Sequence, residues 1–165
     1  MAESSDPTSG LAKSVWSDAD FDQMLWHDVT IHAVATHTEG LAENFQSRLL
    51  IDLDYIAAWV RPTSPDDGFS FWVSPATLVF DDVWDLAGNV DCQSCELTMN
   101  GLRRLPLNDR RPDLPRWHIE GHEFDLKFHA SGYRLYIRRA PVLTDEQTLS
   151  LAERDGLAFA EIGYE

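Results

Sequence analysis

A chain of 165 residues, 44% apolar and 11% aromatic, is long enough to bury about two-thirds of its unfolded surface in one core and too short for a second full domain. Its formal net charge of -15 argues against binding nucleic-acid phosphates or anionic membrane surfaces, both of which call for clustered Lys and Arg. Two cysteines are too few for a disulfide framework, and no apolar run approaches the roughly 20 residues that a membrane-spanning helix needs.

Residues 1–14, rich in Ser, Gly, Pro and acids, read as a flexible acidic tail, which leaves residues 15–165 as a single β-rich domain. The tail lacks the basic start and apolar centre of a secretory signal, so a cytoplasmic location is expected. Ser17 as a cap, with Asp18 and Asp20 in the first turn, predicts a short helix ending near Trp26. Over residues 28–36, Val29, Ile31, Ala33 and Ala35 alternate with Thr30, His32 and Thr36, the period of a half-buried strand. Residues 48–60 repeat the pattern: Leu49, Ile51, Leu53, Tyr55, Ala57 and Trp59 share one face, and Asp52 and Asp54 take the opposite, solvent-side face.

Pro62, Pro65 and Gly68 mark a turn, after which Phe69, Phe71 and Val73 resume a strand that Pro75 marks as an edge, bulge or end. Residues 77–80 are extended again, residues 81–89 hold a turn, and a short strand runs from Cys95 or Glu96 to Leu102. A long irregular connection over residues 103–116 leads to a strand at residues 117–119 that turns at Glu120 and Gly121. Phe124, Leu126 and Phe128, then Ser131-Gly132, then Tyr133, Leu135 and Ile137 predict a hairpin. Thr144 with Gln147 forms a capping-box pattern before a short C-terminal helix that Gly156 stops. The fold class is therefore mainly β: an antiparallel β-sandwich or curved sheet with a short N-terminal and a short C-terminal helix.

Two constellations carry possible chemistry. Cys92 and Cys95, with His118 and His122 later, have spacings compatible with a tetrahedral zinc site; the plainer alternative is two loop cysteines and two surface histidines. Zinc is the one cofactor left open. His27, Asp28 and His32 can join Asp52 and Asp54 in a His and carboxylate face for metal-assisted hydrolysis if the first two strands are neighbours, the alternative being an ordinary solvated face. Asp81, Asp82 and Asp85 beside Trp84 offer an acidic, aromatic surface or a solvated turn. Arg103, Arg104, Arg110, Arg111, Arg134, Arg138 and Arg139 serve either an anion or the protein's own acids. No phosphate loop, nucleophile elbow or zinc-protease helix occurs, so catalytic residues are not assigned.

Trp26-His27-Asp28, the run Ile51-Asp52-Leu53-Asp54-Tyr55 with Trp59 after it, and Ser74 to Phe80 resemble small bacterial β-rich proteins of uncharacterised function, over about the central two-thirds of the chain. Size and pattern are also similar to immunity proteins of bacterial polymorphic toxin systems, which are frequently acidic and bind a toxin domain. That resemblance implies a protein partner and assigns no residue. Charge placement agrees with it: residues 1–99 hold 3 basic and 17 acidic side chains, residues 100–165 hold 10 and 11. A non-enzymatic domain with an acidic surface for a basic protein partner is the leading expectation, and the His and Asp hydrolase or a small-molecule-binding β domain is the alternative.

Overall fold

A computed structural model describes residues 9–165. The alternating segments form ten strands: β1 (Val15–Ser17), β2 (Val29–Glu39), β3 (Gln46–Val60), β4 (Ser70–Asp81), β5 (Trp84–Val90), β6 (Leu97–Leu105), β7 (Arg116–His122), β8 (Phe124–His129), β9 (Gly132–Ile137) and β10 (Val142–Thr144). Every pairing is antiparallel, in the order β1-β9-β4-β3-β2-β6-β7-β8-β5, with β10 added to β4 beyond the end of β9. This open sheet curves onto itself. Phe80 on β4 meets Phe128 on β8 with ring centroids 4.7 Å apart, and Trp117 on β7 meets Tyr133 on β9 at 5.5 Å, although several strands separate each pair along the sheet. The core is the concave side, filled by Leu49, Ile51, Leu53, Leu78, Phe80, Trp117, Phe128 and Leu135 among others.

The chain begins to pack before residue 15. Leu11 lies against the core and the Ser14 carbonyl accepts from the Ile137 amide, so the part of the expected tail over residues 9–14 is held, and residues 1–8 lie outside the described residues.

Neither expected helix is an α-helix. Ser17 does cap a turn, its hydroxyl accepting from Ala19 and its amide donating to Asp20, but Asp18–Gln23 forms a 3-10 segment. Met24 is already extended there, which delivers Met24 and Trp26 to the core. At the C-terminal end Thr144 accepts from Glu146, and the reciprocal box instead joins Ser150 and Glu153 around a single turn that ends at Gly156, φ +81°. No longer helix forms because the amides of Leu149 and Ala158 are used by buried carboxylates of β3.

Three further differences arise because alternation specifies a face and not a partner. β8 and β9 do not pair with each other: β8 pairs with β7 and β5, and β9 with β4 and β1. The turn between them is an arch from one half of the curved sheet to the other, and both strands still point the same alternate residues into the shared core. Glu120 and Gly121 continue β7, and the β7–β8 turn falls at Glu123, φ +54°. Gly121 is required for close approach, since a Cβ there would sit 1.7 Å from the Thr98 carbonyl oxygen. Finally, Pro75 lies inside the central strand β4. Its carbonyl accepts from Arg138 where β4 changes neighbour from β9 to β10, so its missing N–H faces that gap.

Candidate functional site

The outer face of β3 and β4 is covered, not solvated. Residues 145–164 run across it, with Leu149 packing on Ile56, Phe71 and Val73, and Phe159 on Leu50, Val79 and Tyr136. Asp52 and Asp54 are fully buried beneath this segment. Asp52 accepts from Arg138 (2.8 Å), from both terminal nitrogens of Arg154 (2.8 Å each) and from the Ala158 amide (2.9 Å). Asp54 accepts from Arg154 Nε (3.1 Å), Thr148 (2.8 Å) and the Leu149 amide (2.8 Å), and pairs with His32 Nε2 at 2.7 Å. Asp52 thus accepts four hydrogen bonds from three residues and Asp54 meets four residues, about the full acceptor capacity of each, and a metal ion here would have to displace Arg154. Burial pushes both carboxyl groups up, but Arg154, the Ala158 amide and Arg138 at Asp52, and His32, the Leu149 amide and Arg154 at Asp54, outweigh it and hold both below the usual range. His27 and Asp28 pair with each other at 2.9 Å, and neither contributes a bond to Asp52 or Asp54.

The cysteine and histidine set is partly brought together. The link from β5 to β6 must cross the end of the β8–β7 hairpin, because β5 pairs with β8 and β6 with β7. That crossing lays the cysteine loop on the β7–β8 turn, where the Asp91 amide donates to the Glu123 carbonyl at 2.8 Å. Cys95, His122 and Glu123 each place a ligand atom within 4.8 Å of the other two. His118, four residues earlier on β7, instead pairs with Asp125 of β8 at 2.9 Å. Both cysteines are free and exposed. Glu123 was not among the residues singled out by spacing. Its carboxylate accepts from the Ser94 hydroxyl (2.6 Å), the Gln93 amide (2.8 Å) and the Ser94 amide (3.0 Å), which holds it below the usual glutamate range.

A third cluster lies at the tip of the β3–β4 hairpin. A bulge between Ile56 and Ala58 reverses the facing of β3, so Trp59 leaves the core row in which alternation places it and pairs with Phe71 on the outer face. Trp59 stands edge-on to Phe71 (4.9 Å), Phe69 (5.9 Å) and His27 (6.0 Å). Trp59 and Phe69 nevertheless remain 40% and 46% exposed. A cavity of about 440 Å³ adjoins them, lined in part by Arg61, Asp67, Phe69 and Asp145. Among the described residues none of Asp66, Asp67, Asp145 and Glu146 forms an ion pair with Lys, Arg or His.

Elsewhere most of the arginines singled out from the sequence serve the protein's own acids, while Arg104 donates to the Asp18 carbonyl (2.6 Å) and lies over the Phe21 and Trp117 rings. Arg134 and Arg48 hold Asp81, Arg110 holds Asp85, Arg103 holds Glu120, Arg111 holds Asp113, and Arg110 and Arg111 lie over the Trp84 ring. Beneath them His129, 2% exposed, bonds Asn108 through Nε2 and has no partner for Nδ1 among the described residues. Burial first, then Arg116, Arg111 and Arg110 against an opposing contribution from Asp85, lower its affinity for a proton. The unfolded chain therefore binds more protons than the fold below pH ~6.5. Stability from His129 is full above that value and falls as acidification proceeds through the fold's lower pKa. Urea midpoints at pH 7.5 and 5.5 are expected to differ more in the wild type than in His129→Phe.

No family model, no curated protein and no solved structure matches the chain. Among the described residues, no helix is long and apolar enough to cross a membrane.

Proposed function

We propose that this chain is a protein-binding domain that docks a basic protein segment on the tip of its β3–β4 hairpin, and that binding rather than catalysis is its role. The observation that carries the reading is the exposed Trp59–Phe69 pair beside four acids without cationic partners. Exposed tryptophan on a rigid strand is costly to leave in water and gains most when a partner covers it. Uncompensated acids draw a cationic partner and orient it before contact. Four other acids of the first half, Asp52, Asp54, Asp81 and Asp85, are answered within the fold by Arg154, Arg138, Arg134 and Arg110. At the hairpin tip, acids without cationic partners and exposed aromatic surface lie together. The resemblance to immunity proteins would make the partner a cationic toxin domain. The hydrolase reading requires carboxylates open to a metal and water, whereas Asp52 and Asp54 are enclosed by protein donors.

A photo-crosslinking residue at Phe69 of the full chain, expressed in the native host and irradiated at low salt, tests this. One adduct with a protein of high isoelectric point is expected. It should be absent from the same residue placed at exposed Thr38, and lost when Asp66, Asp67 and Asp145 become Asn and Glu146 becomes Gln. Equal adducts at both positions, an acidic partner, or no adduct overturns the proposal.

A further inference from the structure

The crossing of the cysteine loop over the β7–β8 turn assembles three different metal-ligating groups that no sequence motif joins. Cys95 offers a thiolate, His122 an imidazole and Glu123 a carboxylate, with ligand atoms all within 4.8 Å of one another. Tetrahedral zinc, with bonds of about 2.0–2.3 Å, needs ligand-to-ligand distances of roughly 3.3–3.8 Å. The three groups therefore need to close by at most about 1.5 Å, within reach of side-chain rotation on an exposed loop.

Two features organise the site before any ion arrives. Glu123 stands at a left-handed turn position and its carboxylate is bound by Gln93 and Ser94, the kind of outer hydrogen bonding that orients metal-ligating carboxylates. The backbone at His122 is set by the pairing of β7 with β6, in register with Thr98, and its side chain is exposed. The donor set is nitrogen, sulfur and oxygen, which suits a borderline-soft divalent ion and not calcium or magnesium. We propose that Cys95, His122 and Glu123 form a zinc site, with Cys92 of the same loop as fourth ligand. Two cysteines separated by two residues commonly share one zinc ion. This set replaces His118, which is held by Asp125, with Glu123. The site is independent of the β3–β4 surface: its residues belong to other loops, and it can fail without affecting partner binding.

Cobalt titration of the reduced full chain is the test, because tetrahedral cobalt absorbs in the visible and each thiolate adds ultraviolet charge-transfer absorption. One cobalt per chain is expected, displaced by zinc. Cys95→Ser and His122→Ala should each weaken binding at least about tenfold, Glu123→Gln likewise, and Cys92→Ser should remove about half of the charge-transfer absorption. His118→Ala should change nothing. Circular dichroism of the metal-free variants serves as the folding control, both cysteines being exposed. Less than a tenth of a metal per chain, binding that survives Cys95→Ser or His122→Ala, full absorption in Cys92→Ser, or loss in His118→Ala overturns the assignment.

Discussion

Arg154→Met is expected to destabilise the protein by about 3–5 kcal/mol, the loss typical when one partner of a buried ion pair is removed. A domain of this size has only about 5–15 kcal/mol of net stability, so the variant should be near the limit of folding at 37 °C. The side chain is fully buried and donates to both Asp52 and Asp54, and its removal strands Asp54 with His32 as its only ionisable partner. The deficit has a direction in pH. In the wild type both carboxyl groups are held low, so their contribution is complete above the ordinary aspartate range and disappears as pH falls through the fold's lower values. In Arg154→Met the same groups are buried without enough positive charge, their affinity for protons rises, and the gap to the wild type should narrow on acidification. Arg154→Met combined with Asp52→Asn and Asp54→Asn should recover part of the loss at neutral pH. Urea unfolding settles the matter: a deficit below about 1 kcal/mol, or one that grows on acidification, would mean the carboxylates do not depend on this arginine.

That same network marks where sequence reasoning reached and where it stopped. The strands were legible because burial of alternate residues is a local property, and β2, β3, β4 and β8 all carry it. Alternation alone puts the acids of β3 on a wet side opposite a dry one, whereas the structure buries them. The stretch from Leu49 to Val60 also holds Leu50 and Ile56 on the second face, and a near-continuous apolar run is the signature of a strand covered on both sides. Two aspartates in such a run call for a buried cation, and Arg154 supplies it from 100 residues away, with no local pattern to announce it. Pairing was equally hidden. Phe124 to Ile137 alternates identically whether its halves form a hairpin or an arch, and only the facing halves of the sheet decide. Glu123 was missed as a candidate ligand for a related reason: its proximity to Cys95 depends on the crossing of one loop over a turn, not on spacing.

Trp59→Ala is expected to weaken partner binding by at least about 2 kcal/mol, roughly 30-fold, the scale of an interface hot spot. Its effect on folding should be small by comparison, since the ring is 40% exposed and lies outside the main core. Phe69→Ala should cost less than Trp59→Ala, the smaller ring presenting less area and leaving Trp59 supported by Phe71. Kinetics separate the two parts of the surface. Loss of an aromatic anchor acts after docking and should appear as faster dissociation. Asp66→Asn, Asp67→Asn, Asp145→Asn and Glu146→Gln together should instead slow association and flatten its dependence on ionic strength, because long-range attraction acts before contact and is screened by salt. Surface plasmon resonance on the crosslinked partner, at two ionic strengths, distinguishes these effects. If the neutralised acids leave association and its salt dependence unchanged, charge does not guide the encounter; if Trp59→Ala leaves dissociation unchanged, the tryptophan is not covered in the complex, and the hairpin tip is not the docking surface.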